Sequence, residues 1–397
     1  MKVGIVSTWF ERGAAYVSKQ FYNSLQEQGV DVAIYARGGE HYAKGDPNWD
    51  WDCVYWQKTK SFVTSYVERK EFEQWLIREK IDLVIFNEQH YFQAIVWAKK
   101  LNVKTVAYID YYTQNTVKLF PIYDAVICNT QRHLSVFKEH NNPIYIPWGT
   151  DTATFKPNGD NSDPVVFFHS CGMSPHRKGT DFLIKAIDKI KHQTFKTVIH
   201  SQVDLVSALP QLEEVITNLI ESGRLEVIKK TVSSPGLYYV GDVYVYPSRL
   251  EGIGLTIAEA LASGLPCIVP NNAPMNEFVS QHCATNKVDN FIARADGYYW
   301  PECLSDVDDL ANCLEKYIGL SREQLNQIKQ DVRTYALAKL DWKTNSKILK
   351  SALEQVKTAP MMPRLEQQLT EFDNKGRPYF TKFSLAYNTL YSVAKRK

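Results

Sequence analysis

Short apolar runs alternate with segments of helical periodicity along the first part of this chain. Predicted strands lie at residues 3–7, 31–35, 82–86, 104–109, 125–128 and 144–147, and predicted helices at 14–28, 68–79, 92–101 and 131–139. Strands that alternate with helices predict parallel βαβ units, which build a doubly wound sheet. Residues 46–66 are rich in aromatic side chains without a clear period. Core packing is favoured for them over stacking on a sugar or a lipid surface.

The alternating pattern restarts after a loop-rich stretch at residues 156–164, whose proline, glycine, asparagine and aspartate residues indicate a linker. Beyond it, strands are predicted at 165–169, 196–200, 225–228, 243–246 and 268–270, and helices at 180–190, 211–221, 307–318 and 322–338. A chain of 397 residues exceeds the size at which one core stops growing, about 250–300 residues. We therefore expect an α/β protein with two doubly wound, Rossmann-like domains, residues 1–157 and 158–340, that face a central cleft.

Composition and charge narrow the class of protein. Hydrophobic content of 44% and charged content of 23% are ordinary for a globular chain, and a net charge of +2 disfavours electrostatic capture of nucleic acid. The seven cysteines form no CxxC pair, which predicts reduced thiols in a cytoplasmic protein and no zinc site. After Asp373 the chain carries basic residues and no acid. This tail is either solvated or in peripheral contact with an anionic inner membrane face.

Three loops at predicted strand ends carry candidate chemistry, since ligands of open α/β sheets bind outside the carboxyl ends of the strands. The first loop, residues 7–13, places Gly13 and two alanines at a helix start, where backbone N–H groups favour an anion. It lacks the GxGxxG dinucleotide fingerprint. A tight strand–helix turn is the alternative interpretation.

The second loop, residues 170–179, ends in Arg177-Lys178-Gly179 just before Thr180, the predicted N-cap of the next helix. A lysine beside a helix N-terminus can neutralise a diphosphate by its charge and the helix dipole. A solvated charge pair is the alternative.

The third loop, residues 247–254, leads from a strand into a helix that carries a second acid. Glu251 and Glu259 lie eight positions apart, with Gly252 and Gly254 between them. Each glycine would cost about 1 kcal/mol inside a helix, so helix capping does not explain them. Carboxylates bind hydroxyls and glycines admit an anionic oxygen to the backbone, so the segment favours a ligand in which a sugar is joined to phosphate.

These motifs together resemble the retaining nucleotide-sugar glycosyltransferases of the GT-B fold, family GT4. The segment from Glu251 to Glu259 resembles that family's E-x7-E motif, and residues 260–266 resemble its alanine- and glycine-rich continuation. Lys178-Gly179 resembles its Lys-Gly motif, and residues 146–157 are similar to its interdomain stretch. The resemblance covers about residues 1–345.

The resemblance implies that the second domain binds the donor and the first domain the acceptor, with residues 341–397 packing back on the first. Glu251 would contact the sugar near its reacting face, Glu259 the ribose, and Lys178 the diphosphate. Further donor contacts are implied for Gly13, Arg177, Gly252, Ile253, Gly254, Leu255 and Thr256. The family generally needs no metal, so no metal ligand and no cofactor besides the donor substrate are expected.

Two positions depart from the family pattern. Met173 stands where the family usually carries an arginine, so Arg177 or His176 substitutes for it, or Lys178 and dipoles act alone. The family's histidine in the first domain is best matched by Asp110, a candidate base for the acceptor hydroxyl. His90 is the rival candidate.

The expected activity is transfer of a hexose from a UDP- or GDP-sugar to a hydroxyl of a glycan or glycolipid, with retention of anomeric configuration. The alternative from another class is a non-catalytic GT-B partner or glycan-binding subunit, which Met173 favours and the Glu251/Glu259 pair opposes. A sugar-nucleotide epimerase of the same fold is a third interpretation.

Overall fold

The computed structural model describes residues 1–38, 42–61, 65–159, 163–191 and 194–375. Its contacts divide the chain into two units. The first comprises Met1–Asn129, His133–Ile146 and the chain from Ser346 onward, and the second comprises Thr130–Arg132 and Pro147–Asn345.

A parallel sheet of seven strands forms the centre of the first unit, in the order β3-β2-β1-β4-β5-β6-β7. The strands are β1 Lys2–Ser7, β2 Asp31–Ala36, β3 Val54–Trp56, β4 Leu83–Asn87, β5 Lys104–Tyr108, β6 Ala125–Cys128 and β7 Pro143–Tyr145. The helices are α1 Gly13–Glu27, α2 Arg69–Glu79, α3 Gln93–Lys100, α4 Gln114–Val117 and α5 Gln131–Phe137. The predicted doubly wound sheet is confirmed, and the central strands are apolar along their length because helices cover both faces.

The aromatic stretch belongs largely to the core of the first unit. Trp49 and Trp56 are buried, and the rings of Trp49 and Trp51 pack edge-on against Trp9. Strand β3 lies in this stretch, where the sequence predicts no element. With only three residues, β3 is too short for a period of two to be recognised.

A parallel sheet of six strands forms the centre of the second unit, in the order β10-β9-β8-β11-β12-β13. These strands are β8 Val166–Gly172, β9 Lys196–Ser201, β10 Leu225–Lys229, β11 Val243–Val245, β12 Cys267–Pro270 and β13 Ala284–Asn286. The helices are α6 Thr180–Lys189, α7 Leu205–Ala208, α8 Glu213–Glu221, α9 Leu255–Ala262, α10 Val307–Ile318, α11 Arg322–Lys339 and α12 Trp342–Asn345. An antiparallel hairpin of β14 Val288–Ile292 and β15 Glu302–Ser305 stands apart from the sheet.

Residues 147–157 pack with the second unit, whereas the division made from the sequence puts the boundary after residue 157. The backbone N–H of Thr150 donates to the carbonyl of Leu340 at 2.7 Å, and the rings of Trp148 and Trp342 pack 4.8 Å apart. Arg333 donates to the carbonyls of Phe155 and Thr152. These contacts join residues 147–157 to α11 and α12.

The chain after residue 345 packs on the first unit through α13 Leu349–Glu354 and α14 Pro363–Lys375. The hydroxyls of Ser24 and Ser346 lie 2.7 Å apart, and the Asp373 carboxylate accepts from the backbone N–H of Gln93 at 2.9 Å. The basic tail at residues 376–397 lies outside the described residues. Among the residues that are described, no helix is long and apolar enough to cross a membrane.

Candidate active site

Both sheets contain a topological switch point, where ligand sites of doubly wound folds occur. In the second unit the strand order reverses between β8 and β11. The two loops that follow these strands carry Arg177-Lys178-Gly179 and Glu251. The chain order and the strand order thus bring together two motifs that are more than seventy positions apart.

The Glu251 carboxylate is the centre of this site and is only 8% exposed. Its Oε1 atom lies 2.6 Å from Lys178 Nζ and 3.0 Å from Arg177 Nη1. The same oxygen accepts from the hydroxyls of Ser248 at 2.6 Å and Tyr246 at 2.9 Å. Lys178 also contacts the Tyr246 hydroxyl. A carboxylate with this many donors on one oxygen is held in a fixed orientation.

The charges of the two cations keep Glu251 ionised. Burial by itself would raise the pKa of the Glu251 carboxyl, but Lys178 and Arg177 outweigh it and lower that pKa to about 2. Burial lowers the pKa of Lys178, and Glu251 opposes that effect. Glu251 raises the pKa of Arg177, against burial and the nearby Arg294. Two cations beside one carboxylate leave an excess of positive charge, which suits an anionic ligand.

The loop that carries Lys178 is locked against the loop that carries Glu251. Gly179 has a φ of +69°, and a Cβ at this position would collide with the carbonyl oxygen of Pro247. The Arg249 guanidinium donates to both oxygens of Asp181 at 2.7 Å, and this ion pair is buried. The close approach explains why the Lys-Gly pair needs a glycine.

Thr180 is not the N-cap of α6, contrary to the sequence-based prediction. Gly179 occupies that position, and Thr180 is the first helical residue. The Thr180 hydroxyl lies 2.8 Å from Nε2 of the buried His169 instead. Burial lowers the pKa of His169 to about 4, so this ring is neutral at physiological pH and serves packing.

The third loop turns into α9 at Gly254, the N-cap, with a φ of +85°. Helix capping therefore does account for Gly254, contrary to the sequence-based interpretation, because the left-handed backbone at this N-cap favours glycine. Ile253 is buried, Gly252 is partly exposed, and Leu255 and Thr256 form the first residues of α9. The first N–H groups of a helix have no intrahelical acceptor, and α9 starts directly after the Glu251 loop. The predicted donor-binding backbone therefore lies at a helix N-terminus beside Glu251.

Glu259 lies one turn further along α9 and has different partners from Glu251. Its Oε2 atom accepts from the Tyr238 hydroxyl at 2.6 Å. Burial raises the pKa of the Glu259 carboxyl, against the Tyr238 hydrogen bond and the charge of Lys178. The two acids of the motif thus have separate partners within one loop–helix segment.

In the first unit the switch point lies between β1 and β4. Gly13 is exposed and is the first residue of α1, a helix without a side-chain cap. The loop after β4 contains Glu88, a non-glycine residue with a φ of +50°. Such backbone strain costs about 1–3 kcal/mol and is concentrated at functional sites.

Asp110 and His90 belong to one cluster, which Glu88 joins. The Glu88 Oε1 atom accepts from the backbone N–H of Asp110 at 2.6 Å, and its Oε2 atom lies 3.6 Å from His90 Nε2. The Asp110 carboxylate accepts from the Tyr108 hydroxyl at 3.0 Å and lies 3.5 Å from Nδ1 of His133, a residue only 2% exposed.

Several residues of these sites carry no signal in the sequence. Ser248, Tyr246 and Tyr238 orient the two glutamates, and Glu88 and His133 surround Asp110. Single hydroxyls and a helical histidine match no motif, so only the contacts of these residues in the structure identify them.

The position where the family usually carries an arginine is Met173, which is 74% exposed. Arg177 is the cation that contacts Glu251 together with Lys178. Across the described ranges, no three His, Cys, Asp or Glu side chains group as a metal site would require.

Comparison with known proteins finds a matching family model and relatives of similar sequence. Residues 163–316 match the model of the family described as "Glycosyl transferases group 1". The chain is 26% identical over 170 residues to the lipopolysaccharide core biosynthesis mannosyltransferase LpsB of Rhizobium meliloti (strain 1021). That match covers 40% of this chain and 48% of LpsB. The chain spans about half the length, or less, of the curated relatives it matches.

Solved structures extend the similarity over most of the chain. A glycosyltransferase from Rickettsia africae ESF-5 superposes with a TM-score of 0.71 at 16% identity, covering 90% of this chain and 99% of that one. Anabaena Alr3699/HepE in complex with UDP-glucose superposes with a TM-score of 0.67 at 15% identity, covering 89% of this chain and 99% of that one. Identities this low establish the fold alone. Two parallel-sheet, Rossmann-like units of the GT-B class thus make up this chain, whose residues 163–316 match the glycosyl transferases group 1 family.

Proposed function

We propose that this protein is a retaining glycosyltransferase that moves a hexose from a UDP- or GDP-sugar to a hydroxyl of a glycan or glycolipid. The observation that carries the proposal is the Glu251 carboxylate held by Lys178 and Arg177 at the switch point of the second unit. This charge arrangement lies within the segment that matches the glycosyl transferases group 1 model.

The donor diphosphate develops negative charge as it leaves, and fixed cations stabilise that charge best when water is excluded. Lys178 and Arg177 lie beside the N-terminus of α9 and are assigned this role. Glu251 is ionised and therefore cannot act as a general acid. We assign it to the sugar hydroxyls, where a fixed carboxylate accepts hydrogen bonds and favours the positive charge of the sugar centre. Glu259 is assigned to the ribose.

The acceptor is assigned to the first unit. Asp110 is the proposed base for its hydroxyl, because Tyr108 and Glu88 fix the Asp110 side chain and backbone. His90, on the other side of Glu88, is the rival. Retention of anomeric configuration is implied by the family resemblance. An NMR spectrum of the anomeric proton of the product tests it.

Two relatives support the choice of substrates. LpsB is named as a lipopolysaccharide core mannosyltransferase, and Anabaena Alr3699/HepE was solved with UDP-glucose. We therefore propose an enzyme of surface-glycan assembly. The unpaired cysteines support a cytoplasmic location, and the family resemblance implies that the enzyme uses no metal. Transfer in excess EDTA should equal transfer in Mg²⁺, and a rate that only Mg²⁺ restores would refute the metal-free proposal.

The test begins with nucleotide binding by the purified protein. A nucleotide at 100 times its Kd should stabilise the fold by about 2.7 kcal/mol, so a thermal-shift comparison of UDP, GDP, ADP and dTDP identifies the base. Release of nucleoside diphosphate from the matching sugar donors then separates an enzyme from a non-catalytic GT-B subunit, which the exposed Met173 would favour. Binding without any release, with and without acceptor extracts, would establish the non-catalytic alternative.

A further inference from the structure

Two cysteines lie side by side where β12 meets β13, the last strand of the six-stranded sheet. Cys267 is the first residue of β12, and Cys283 directly precedes β13. The parallel pairing of these strands sets Ile268 beside Ala284, so Cys267 and Cys283 occupy the next pair of neighbouring positions. The backbone N–H of Cys267 donates to Cys283 Sγ at 3.4 Å, across sixteen positions of sequence. The fold therefore makes neighbours of two thiols that no CxxC motif joins.

The placement of these two cysteines suits a disulfide bond. Neighbouring strands of a sheet lie about 4.8 Å apart, and the Cα atoms of disulfide-bonded residues lie about 4.4–6.8 Å apart. Side chains at paired positions project to the same face of a sheet. Both cysteines are free thiols in this structure. Oxidation can therefore join them while the two strands stay paired.

The two thiols differ in exposure and in acidity. Cys283 is partly exposed, whereas Cys267 is buried. Hydrogen bonds from the Cys267 side chain and backbone and from Ser280 lower the pKa of the Cys283 thiol below its ordinary value, although burial opposes them. Burial raises the pKa of Cys267, and Cys283 adds to that effect. Cys283 is thus the thiol that reaches solvent and forms the nucleophilic thiolate, and Cys267 is the neutral thiol beside it.

Cys53 provides a comparison within the same chain. It is also partly exposed, but burial raises the pKa of its thiol, and its hydrogen-bond partner is Tyr22 rather than a second thiol. Partial exposure alone therefore does not distinguish Cys283. The adjacent Cys267 does.

We propose that Cys283 and Cys267 are a peroxide-sensitive thiol pair, a modification site that closes to a reversible disulfide. The Cys283 thiolate attacks a peroxide oxygen, the O–O bond breaks and hydroxide leaves, so that Cys283 becomes a sulfenic acid. The Cys267 sulfur then bonds to the Cys283 sulfur, and the sulfenic oxygen leaves as water with the proton of the Cys267 thiol. The peroxide gains two electrons, which the two thiols lose.

A dithiol reductant reverses this reaction by thiol–disulfide exchange. Disulfides of reducing compartments are usually transient and redox-sensing, which agrees with the cytoplasmic location proposed for this protein.

Cys267 also contacts α9. Its Sγ atom lies 3.6 Å from the carbonyl oxygen of Leu265 and 4.0 Å from that of Ile257, which is two positions before Glu259 in α9. A disulfide to Cys283 draws the Cys267 sulfur away from these carbonyls, so oxidation should weaken nucleotide binding. This consequence rests on the role proposed for Glu259. The disulfide itself does not require that the protein transfer sugars.

Peptide mapping of the purified full chain tests the disulfide. The native protein is treated with hydrogen peroxide, the remaining thiols are blocked in denaturant, and the chain is cut after glutamate without reductant. Cleavage at Glu277 separates Cys267 from Cys283, so the two peptides stay joined only through a disulfide. Wild type should yield the joined peptides, which dithiothreitol separates, and Cys53→Ser, the matched control, should yield them equally.

Single variants separate the roles of the two thiols. In Cys267→Ala, Cys283 has no neighbouring thiol and should accumulate sulfenic and sulfinic acid, detected as added oxygen on its peptide. Cys283→Ala should leave Cys267 unmodified, because Cys267 is buried. Thermal midpoints report whether each variant is folded. Absence of the joined peptides in folded wild type, or oxidation of Cys53 as fast as that of Cys283, would overturn the proposal.

Nucleotide affinity tests the connection to α9 separately. UDP and GDP are titrated into wild type before oxidation, after oxidation, and after reduction with dithiothreitol. The Kd of the oxidised protein should be at least about fivefold higher, as for a typical coupling between sites, and reduction should restore it. An unchanged Kd in protein whose peptides are joined would remove the connection and leave the disulfide. Absence of nucleotide binding by the reduced protein would contradict the function proposed for the Glu251 loop and not the thiol pair.

Discussion

At the residue scale, the two acids of the Glu251–Glu259 segment respond oppositely to their surroundings. Two cations lower the pKa of Glu251 to about 2, although burial opposes them. Burial raises the pKa of Glu259, which has a tyrosine hydroxyl and only a more distant lysine charge to oppose it. Two carboxylates that lie eight positions apart in the chain therefore have pKa values shifted in opposite directions, down for Glu251 and up for Glu259.

This difference predicts which acid makes nucleotide binding sensitive to pH. The raised pKa means that Glu259 gains a proton at a pH above its ordinary value of 4.5, and the protonated carboxyl is a weaker acceptor for ribose hydroxyls. Affinity should fall on acidification through this range in the wild type, while Glu251 stays ionised. The diphosphate also titrates, so Glu259→Gln serves as the control: its pH profile should be flatter than that of the wild type. Superimposable profiles would contradict the assignment.

Removal of the Glu251 charge should strongly reduce turnover without unfolding the protein. Loss of one fixed electrostatic contact in an active site typically costs about 10²–10³ in kcat, and we expect at least this for Glu251→Gln. The neutral isostere keeps the shape, so far-ultraviolet circular dichroism and thermal midpoint report folding separately. A folded Glu251→Gln protein with near-normal turnover would end the assignment.

Asp110, the proposed base for the acceptor hydroxyl, gives a further prediction about the rate of transfer. Asp110→Asn should reduce transfer by about 10²–10⁴, the range for loss of a general base, and should leave nucleotide affinity unchanged because Asp110 belongs to the other unit. His90→Asn, which alters a neighbour in the same cluster, is the matched comparison. An Asp110→Asn protein with an unaltered rate and pH profile would move the role of base to His90.

At the element scale, the junctions between strands and helices position the charged side chains. The Lys178 loop enters α6 through a left-handed glycine, and the Glu251 loop enters α9 through another. The sequence signals both junctions, because glycine before a helical period indicates such a turn. It does not signal that the two loops touch, because the hydrogen bond from the backbone N–H of Arg249 to the carbonyl of Arg177 joins residues more than seventy positions apart.

Gly179 and Gly223 provide a matched test of this contact. Both have a left-handed φ, +69° and +72°, but a Cβ would collide with Pro247 only at Gly179 and meets open space at Gly223. Gly223→Ala should cost about 1–2 kcal/mol from the backbone alone. Gly179→Ala should cost more than about 3 kcal/mol, because the loops must also separate. Denaturant unfolding measures both, and equal losses would show that the loop contact contributes nothing to stability.

At the scale of the whole molecule, the order of strands places the candidate chemistry. The basic charge of the last residues gives a prediction about membrane contact. The segment beyond residue 375 carries the unbalanced basic charge. If it contacts an anionic membrane face, full-length protein should float with vesicles that contain anionic lipid, and a chain ended after residue 375 should float less. High salt should weaken flotation, because the interaction is electrostatic. Equal flotation of the two proteins would leave the tail as a solvated segment.

Much of the fold was predictable from the sequence. The predictions failed where contacts with other parts of the chain decide the local structure. The strands of both parallel sheets are mostly apolar runs between helical periods, so most were recognised individually. Strands β3 and β13 and the hairpin of β14 and β15 were missed because they are short or exposed, and pairing with their neighbours orders them where their own sequences do not. Thr180 was predicted to cap α6 because threonine is a common N-cap, yet the close loop contact required Gly179 there.

The sequence by itself determined the two doubly wound sheets, the strand-end loops, and the identities of Lys178, Glu251 and Glu259 as candidate residues, because each of these rests on local spacing. Only the tertiary structure decided that Glu251 carries two cations, that Tyr238 holds Glu259, and that Glu88 joins Asp110 to His90. Apart from the contact between Glu88 and His90, those contacts join residues more than twenty positions apart in the chain. Strand order, which local patterns do not specify, sets the distances between such residues.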